Sequence, residues 1–220
     1  MVWIPVLGFV VLLLLGLPVA VAIGMPSLIY IILDGSVPNF TAIQRMVAGP
    51  NSYVLLAIPF FMFAGNLLNE SGVTNRLFDF SSKLVGHIRG GLGHVNVVAS
   101  MIFAGMSGTA VADAGGLGVI EVKAMREAEY PESMTIGITA ASSTIGPIIP
   151  PSLIAVVYAS VAQESVGRLF AAGFLPGVLM GLSLMVLVYV QGRQLGLRVE
   201  KRATIKEIRL SFFDTFWSLL

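Results

Sequence analysis

The stretch AASSTIGPIIPPS, residues 140–152, lies in the middle of an apolar run that covers residues 133–162. Its three prolines, Pro147, Pro150 and Pro151, have no backbone N–H, and each pushes the residue before it toward extended geometry. A single continuous helix cannot contain all three. The sequence therefore predicts two half-helices joined by an unwound link.

The composition around this stretch is that of an integral membrane protein. Hydrophobic residues make up 56% of the 220 residues and charged residues 11%, with a mean hydropathy of +0.89. Soluble domains are about 45–50% apolar and about 25% charged. This balance excludes a soluble enzyme and a disordered chain, and the net charge of +1 offers no basic face for a nucleic acid. Because cysteine is absent, thiolate nucleophiles and thiolate metal sites are excluded as well.

The apolar run of residues 2–33 is long enough for one spanning helix of about 20 residues, and we expect it to tilt or break near Gly24–Pro26. A secretory signal with Ala20-Val21-Ala22 as its cleavage site is the alternative. No Lys or Arg precedes the run, however, and the chain stays apolar beyond that site. A loop rich in Gly and Pro at residues 34–50 then precedes a second predicted span at residues 52–68.

Residues 71–89 differ from both spans because charged side chains alternate with apolar ones. Apolar residues recur at helical spacing beside Arg76, Asp79 and Lys83; they are Leu77, Phe78, Phe80, Leu84 and Val85. This pattern predicts an amphipathic helix at the membrane interface. A soluble connector is the alternative.

The glycine-rich run at residues 91–123 predicts a re-entrant hairpin. Gly91 to Gly105 would form about 21 Å of helix, less than the roughly 30 Å hydrocarbon core. The motif MSGTAVAD, residues 106–113, supplies the glycine and small hydroxyls of a tight reversal. Residues 131–146 would extend about 22 Å as a helix. The hairpin tip and the proline link should therefore lie at the same depth.

The distribution of Lys and Arg favours the hairpin over a full crossing. With a hairpin, eleven of these residues share one side of the membrane: Arg76, Lys83, Arg89, Lys123, Arg126, Arg193, Arg198, Lys201, Arg202, Lys206 and Arg209. Arg45 and Arg168 remain on the other side, whereas a full crossing would give nine against four. The positive-inside rule places the larger group, and with it the N-terminus, in the cytoplasm.

The predicted fold is an all-α polytopic membrane protein with spanning helices, a re-entrant helical hairpin and a proline-broken helix. Its segments are two N-terminal spanning helices (1–69), the interfacial helix (70–90), the hairpin entering from the cytoplasmic side (91–123), the broken helix (132–162), a further spanning helix (166–191), and a basic cytoplasmic segment that leads into another apolar stretch (192–220).

The two interruptions bring oxygen atoms together. Irregular backbone inside a membrane is stable only against protein or a wet cavity, and the last carbonyls of a half-helix carry the negative end of its dipole. With the hydroxyls of Ser107, Thr109, Ser142 and Ser143, they form an all-oxygen cradle for a small hard cation. Broken helices that aim their ends at ions are typical of secondary transporters.

Two other functional classes fit these residues less well. An ion channel with a re-entrant filter loop remains the alternative. The presence of two different broken elements within this chain favours an alternating-access transporter instead. A membrane-embedded enzyme would need a set of catalytic residues. The sequence contains neither paired intramembrane acids nor a Ser–His pair at a suitable depth.

Two interpretations remain open for Asp113, the acid that lies clearly within the hairpin. An intramembrane acid is a functional candidate, and Asp113 could attract a cation bound nearby. Alternatively, its carboxylate could cap backbone donors near the tip. The acids that follow are mixed with Lys123 and Arg126 and are expected to form a solvated cytoplasmic face; they are Glu121, Glu127, Glu129 and Glu132.

Together, MSGTAVAD (residues 106–113) and AASSTIGPIIPPS (residues 140–152) resemble the large membrane subunit of tripartite ATP-independent periplasmic (TRAP) transporters, the DctM type. The order of elements around them fits the first half of that subunit across almost the whole chain. The resemblance implies one inverted-repeat half of an elevator-type carrier of the ion transporter superfamily, a sodium symporter in the bacterial inner membrane. Without the second repeat, such a fragment would build half of the site.

The resemblance also implies the site and its partners. By position, sodium and substrate contacts fall on Ser107, Gly108, Thr109, Ser142, Ser143, Gly146 and Pro150, and Asp113, Thr144 and Pro147 complete the predicted site. No cofactor is expected, and no metal other than sodium. The implied partners are a small four-helix membrane subunit, a periplasmic substrate-binding protein and the lipid bilayer. The implied cargo is an organic acid of the C4-dicarboxylate class, with sialic acid and 2-oxo acids as alternatives.

The predicted topology can be tested by labelling single cysteines, because the chain has none of its own. Cysteines at Ser71, Ala128 and Thr204 should be shielded from an impermeant thiol reagent added to the periplasm. Cysteines at Asn39 and Gln163 should react. Labelling at Ala128 from outside would place the segment after the hairpin in the periplasm and contradict the re-entrant assignment.

Overall fold

The computed structural model describes residues 3–35, 38–48, 55–197, 199 and 201–217. Every regular element in these ranges is an α-helix, so the predicted all-α class is confirmed. The chain divides into two compact units, one up to residue 53 and one from residue 54 onward. Residues 52–54 of the second predicted span, Arg198 and the last residues, 218–220, lie outside the described ranges.

The first unit contains α1 (Trp3–Leu14), α2 (Val19–Asp34) and α3 (Asn39–Ala48). The expected break near Gly24–Pro26 is wrong, because α2 runs through Pro26 and the chain turns at residues 15–18 instead. Gly16 has a left-handed φ of +78°, and Pro18 is the N-cap residue of α2. This pair stops one helix and starts the next, and α1 then packs on α2.

Two further sequence expectations for residues 1–69 need correction. The predicted loop at residues 34–50 contains α3. With α4 (Ala57–Glu70) at the start of the second unit, the described residues of this region form four helices rather than two. Helix α3 was missed because it is short and only weakly apolar. The Gly and Pro residues on either side of it also suggested a loop.

The second unit holds the remaining helices. After α4 they are α5 (Val73–Val85), α6 (Gly91–Ser107), α7 (Ala110–Gly115), α8 (Leu117–Glu127), α9 (Glu132–Ser143), α10 (Leu153–Ala162), α11 (Val166–Gln194) and α12 (Ile205–Trp217). Within the described residues, α11 is the one helix both long and apolar enough to cross a membrane. Its 29 residues correspond to about 44 Å.

Helix α5 is amphipathic, as its sequence predicts, and its apolar side is covered by protein. Leu77 is fully buried in a cluster with residues of α6 and α8. On another side, α12 packs along α5: the rings of Phe80 and Phe212 lie 5.8 Å apart, and Arg76 forms an ion pair with Asp214 at 3.4 Å. Helix α5 therefore packs against α6 and α8 on one side and against α12 on another.

Helices α6, α7 and α8 form the two arms of a helical hairpin. The tip consists of Gly108, with φ +61°, and Thr109, the N-cap residue of α7. The second arm bends between α7 and α8 at Gly116. Helix α4 lies beside the tip, since a Cβ added at Gly65 would be 3.8 Å from Ser107 Cα.

The apolar run at residues 133–162 is interrupted at its prolines. Helix α9 ends at Ser143, α10 begins at Leu153, and residues 144–152 form the link between them. Ser152 organises the end of the link, because its hydroxyl donates to Pro147 O and accepts from Ala155 N at 3.1 Å. A core cluster packs the hairpin and this broken helix against α11.

The hairpin tip and the link are in direct contact. The backbone N–H of Leu153 donates to the Gly108 carbonyl at 3.4 Å. A Cβ at position 108 would lie only 2.7 Å from Pro151 O. Gly108 is therefore required twice, for its positive φ and for the close approach of the link.

We expect Gly108→Ala to destabilise the fold. The left-handed conformation costs an L-residue about 1–2 kcal/mol, and the clash with Pro151 O adds to this, so the thermal midpoint should fall by about 4–8 °C. Circular dichroism of the chain in detergent or nanodiscs measures it. Gly137→Ala in α9 is the control, because a Cβ there meets nothing within 4 Å. Equal melting of Gly108→Ala and the parent chain would show that the tip does not need glycine.

Candidate functional site

Backbone oxygens from the hairpin tip and from the end of α9 converge at Gly146. A Cβ added there would lie 3.3 Å from both Ser143 O and Thr109 O. Each carbonyl accepts one backbone hydrogen bond, Ser143 O from Gly146 N and Thr109 O from Asp113 N. Because a carbonyl oxygen has two lone pairs, both oxygens retain the capacity to accept from, or bind, a further group.

The two hydroxyls at the hairpin tip have different roles. Ser107 is 3% exposed, and its Oγ has no hydrogen-bond partner in the described part of the chain. Thr109 Oγ1 accepts from Ala112 N at 3.2 Å and so caps α7. A buried hydroxyl without a partner is uncommon in folded proteins. Within the described residues the Ser107 hydroxyl is therefore unpaired, whereas the Thr109 hydroxyl is used in the cap of α7.

The hydroxyls at the end of α9 also differ from each other. Ser143 Oγ donates to Thr139 O at 2.7 Å, which leaves its oxygen lone pairs available. Ser142 Oγ donates to Asn96 Oδ1 at 2.6 Å and accepts from Ser100 Oγ at 3.2 Å. Asn96 in turn donates to Thr139 Oγ1 at 2.7 Å. Ser142 thus holds α9 against α6.

This polar network was only partly predicted from sequence. Asn96 and Ser100 were missed, although their i, i+4 spacing within an apolar helix places them on one face. Thr139 lies on α9 one turn before Ser143. All three side chains are buried, and they fix the relative position of the hairpin and the broken helix.

The remaining predicted residues of the link lie at varying distance from this cluster. Thr144 is exposed, and its hydroxyl donates to Ala141 O at 2.6 Å, so its side chain lies outside the convergence of oxygens. Pro147 O accepts from Ser152 Oγ and shapes the link. Pro150 O lies 3.9 Å from a Cβ added at Gly105 in α6. The carbonyls of Pro147 and Pro150 thus make contacts within the link and with α6.

Asp113 does not cap the hairpin tip. Its side chain is 1% exposed, and neither carboxylate oxygen has a hydrogen-bond partner among the residues described. The cap of α7 is Thr109. The hydroxyls of Ser100 and Ser143 lie close enough to interact with its carboxyl group, which links Asp113 to the polar residues of α6 and α9.

Glu121 corrects the expectation of a solvated acidic face. It is 1% exposed, whereas Glu127, Glu129 and Glu132 are exposed as predicted. The missed signal is its position one turn from Leu117 and one turn from Met125, both fully buried. Helical spacing thus places Glu121 on the buried side of α8.

Outside this buried region the charges pair in solvent. Arg126 donates to both carboxylate oxygens of Glu132. These hydrogen bonds hold the pKa of Glu132 below its ordinary value and raise that of Arg126. The connection from α8 to α9 is therefore tied at its surface by an ion pair.

Comparison with known proteins identifies the family. The family described as "Tripartite ATP-independent periplasmic transporter, DctM component" matches residues 6–220. The chain is 44% identical over 98% of its length to the sialic acid TRAP transporter large permease protein SiaM of Vibrio cholerae, and covers 50% of that protein. It is 42% identical over its full length to the sialic acid TRAP transporter permease protein SiaT of Haemophilus influenzae, covering 36% of it.

A third relative is the C4-dicarboxylate TRAP transporter large permease protein DctM of Pseudomonas aeruginosa, 43% identical over 76% of the chain and matched over 39% of its own length. The chain thus spans half or less of the length of these relatives. They are transporter permeases and not enzymes, and the predicted resemblance is confirmed. From its first helices to α12, the chain belongs to the DctM family of membrane permeases of TRAP transporters.

Proposed function

We propose that this chain forms the first half of a sodium-coupled permease that imports organic acids. The observation that carries this proposal is the convergence of Thr109 O and Ser143 O at Gly146, with no side chain between them. Two separate interruptions of helical structure meet there. Backbone ends of broken helices that line an ion or substrate site are typical of secondary transporters.

The oxygens of the hairpin tip and of the end of α9 are the donors that we propose for a sodium ion. Ser107 Oγ is buried and without a partner in the described structure, Ser143 Oγ retains its lone pairs, and the two carbonyls complete a neutral donor set. Oxygen ligands suit hard cations. Asp113 adds negative charge beside Ser143. When bound, sodium would supply positive charge next to an acidic substrate.

The substrate class follows from the same electrostatics and from the names of the relatives. The relatives are named for sialic acid and for C4-dicarboxylates, which share a carboxylate. Next to a bound cation, a carboxylate is the expected substrate group. We propose an organic acid, with C4-dicarboxylates as the first class to assay.

The proposed setting is the bacterial inner membrane. There the hairpin would be re-entrant from the cytoplasmic side, the N-terminus cytoplasmic, and the fold one half of an elevator-type carrier. The partners would be a small four-helix membrane subunit and a periplasmic binding protein that delivers the substrate. A second inverted repeat would supply the other half of the translocation site.

The test is binding-protein-dependent uptake by the complete permease in proteoliposomes, with sodium varied at constant ionic strength. Ser143→Ala removes one ligand worth about 1 kcal/mol, so the half-saturating sodium concentration should rise about fivefold. Gly146→Val fills the space between the two carbonyls and should abolish uptake while the protein remains in the membrane. Ser183→Ala in α11 is the control, since that hydroxyl donates only to Leu179 O within its own helix.

Two results would contradict the proposal. One is uptake that does not depend on sodium. The other is an unaltered sodium curve when Ser107, Thr109, Ser142 and Ser143 are changed singly and together, which would reduce these oxygens to a structural role.

A further inference from the structure

Helix α12 has two opposite faces, of which one packs on α5. Ser211 and Thr215 lie on the packed side and are 6% and 4% exposed. Helical spacing places five exposed side chains on the opposite side, the outward face; they are Lys206, Arg209, Leu210, Phe213 and Phe216. Leu210 and Phe213 are 58% and 51% exposed. The described residues therefore leave the apolar part of the outward face uncovered.

The polar side chains in the second half of α12 have their partners on α5. The Ser211 hydroxyl donates to Asp79 Oδ2 at 3.1 Å. Arg76 lies 3.4 Å from the Asp214 carboxylate, and its carbonyl accepts from the Thr215 hydroxyl at 3.2 Å. A polar group in apolar surroundings needs such partners. In this half of α12, the described side chains of the outward face are therefore apolar ones alone.

The start of α12 has the opposite character, because it carries positive charge. Residues 201–217 include four basic residues and two acidic ones. Of the acids, Asp214 pairs with Arg76, and Glu207 accepts from the backbone N–H and the hydroxyl of Thr204, each at 2.7 Å. The four cations are exposed, and no ion pair with a described residue involves them; they are Lys201, Arg202, Lys206 and Arg209.

The order of these side chains along the chain indicates what the outward face can meet. The cations come first, and Leu210, Phe213 and Phe216 follow within the next two turns. Water solvates the cations but leaves the apolar side chains exposed, and hydrocarbon has the reverse effect. The surface of a bilayer with anionic lipids offers phosphate groups and acyl chains at adjacent depths. Long basic side chains can reach those phosphates from a helix that is partly immersed.

We propose that the outward face of α12 docks on the membrane surface and binds anionic phospholipids there. The four cations would contact the lipid phosphates, and the apolar side chains of the second half would lie among the acyl chains. Helix α5 would cover the polar side of α12, while its own apolar side is covered by α6 and α8. This proposal goes beyond the transport function, because it uses none of the oxygens around Gly146.

The test places a fluorescent label on the outward face and varies the charge of the lipid. The chain has no cysteine, so Phe213→Cys can be labelled with the environment-sensitive dye NBD in nanodiscs that hold one chain each. Nanodiscs of phosphatidylcholine are compared with an equal mixture of phosphatidylcholine and phosphatidylglycerol. We expect the emission to shift to shorter wavelength in the anionic nanodiscs, and NaCl to reverse the shift by screening.

Lys206→Gln combined with Arg209→Gln should remove most of this shift, because each cation near an anionic surface adds to the attraction. If that variant does not fold, Lys201→Gln with Arg202→Gln, which lie before the helix, removes the same charge.

The matched control is Lys123→Gln combined with Arg193→Gln, which removes two exposed cations from other helices and should keep the parent shift. A label at Glu127→Cys, exposed on α8, should respond to neither lipid.

Three results would overturn the proposal. The label at position 213 could respond equally to neutral and anionic lipid, or the charge variants could keep the parent shift. A shift that requires two chains in one nanodisc would show that a second copy covers the outward face. The result is separable from the proposed transport function, since uptake that ignores sodium would contradict the cradle at Gly146 and leave this lipid dependence in place.

Discussion

The contact between the hairpin tip and the proline link is the constraint on which the functional region depends. Gly108 has no side chain, so its backbone can approach Pro151 closely. Its carbonyl accepts a hydrogen bond from the backbone N–H of Leu153, the first residue of α10. Prolines prevent the link from closing into a helix. The tip and the link are both irregular, and each supplies a hydrogen-bond partner to a backbone group of the other. Backbone polar groups in an apolar region need such partners.

This contact explains how polar groups are arranged behind it. Once tip and link meet, α6 and α9 run side by side, and Asn96, Ser100 and Ser142 form a chain of hydrogen bonds between them. Within that network, most side-chain donors and acceptors form hydrogen bonds with one another. The oxygens that this network leaves over, at Ser107 and Ser143 and in the backbone around Gly146, are the ones that the proposed ion site uses.

The parts of the fold that sequence predicts well are those with one strong local cause. Three prolines within five residues specify the interruption at 144–152, and Gly108-Thr109 specifies the reversal. The turn at Gly16–Pro18 was missed because a uniformly apolar run conceals where a helix stops. Glu121 was misplaced because its charged sequence neighbours suggested solvent, whereas burial was decided by helical spacing and by the packing of α5, α6 and α9 around α8.

The packing of α12 on α5 has a consequence for biogenesis. The contacts Arg76–Asp214 and Thr215–Arg76 join residues 138 and 139 positions apart. At about 5–20 residues per second of synthesis, α5 must wait roughly 7–30 s after it is made before its partner helix emerges. During that interval the side of α5 around Phe80, which later meets Phe212, is uncovered. The nascent chain therefore needs lipid or an insertion factor to cover that surface until the ribosome has delivered α12.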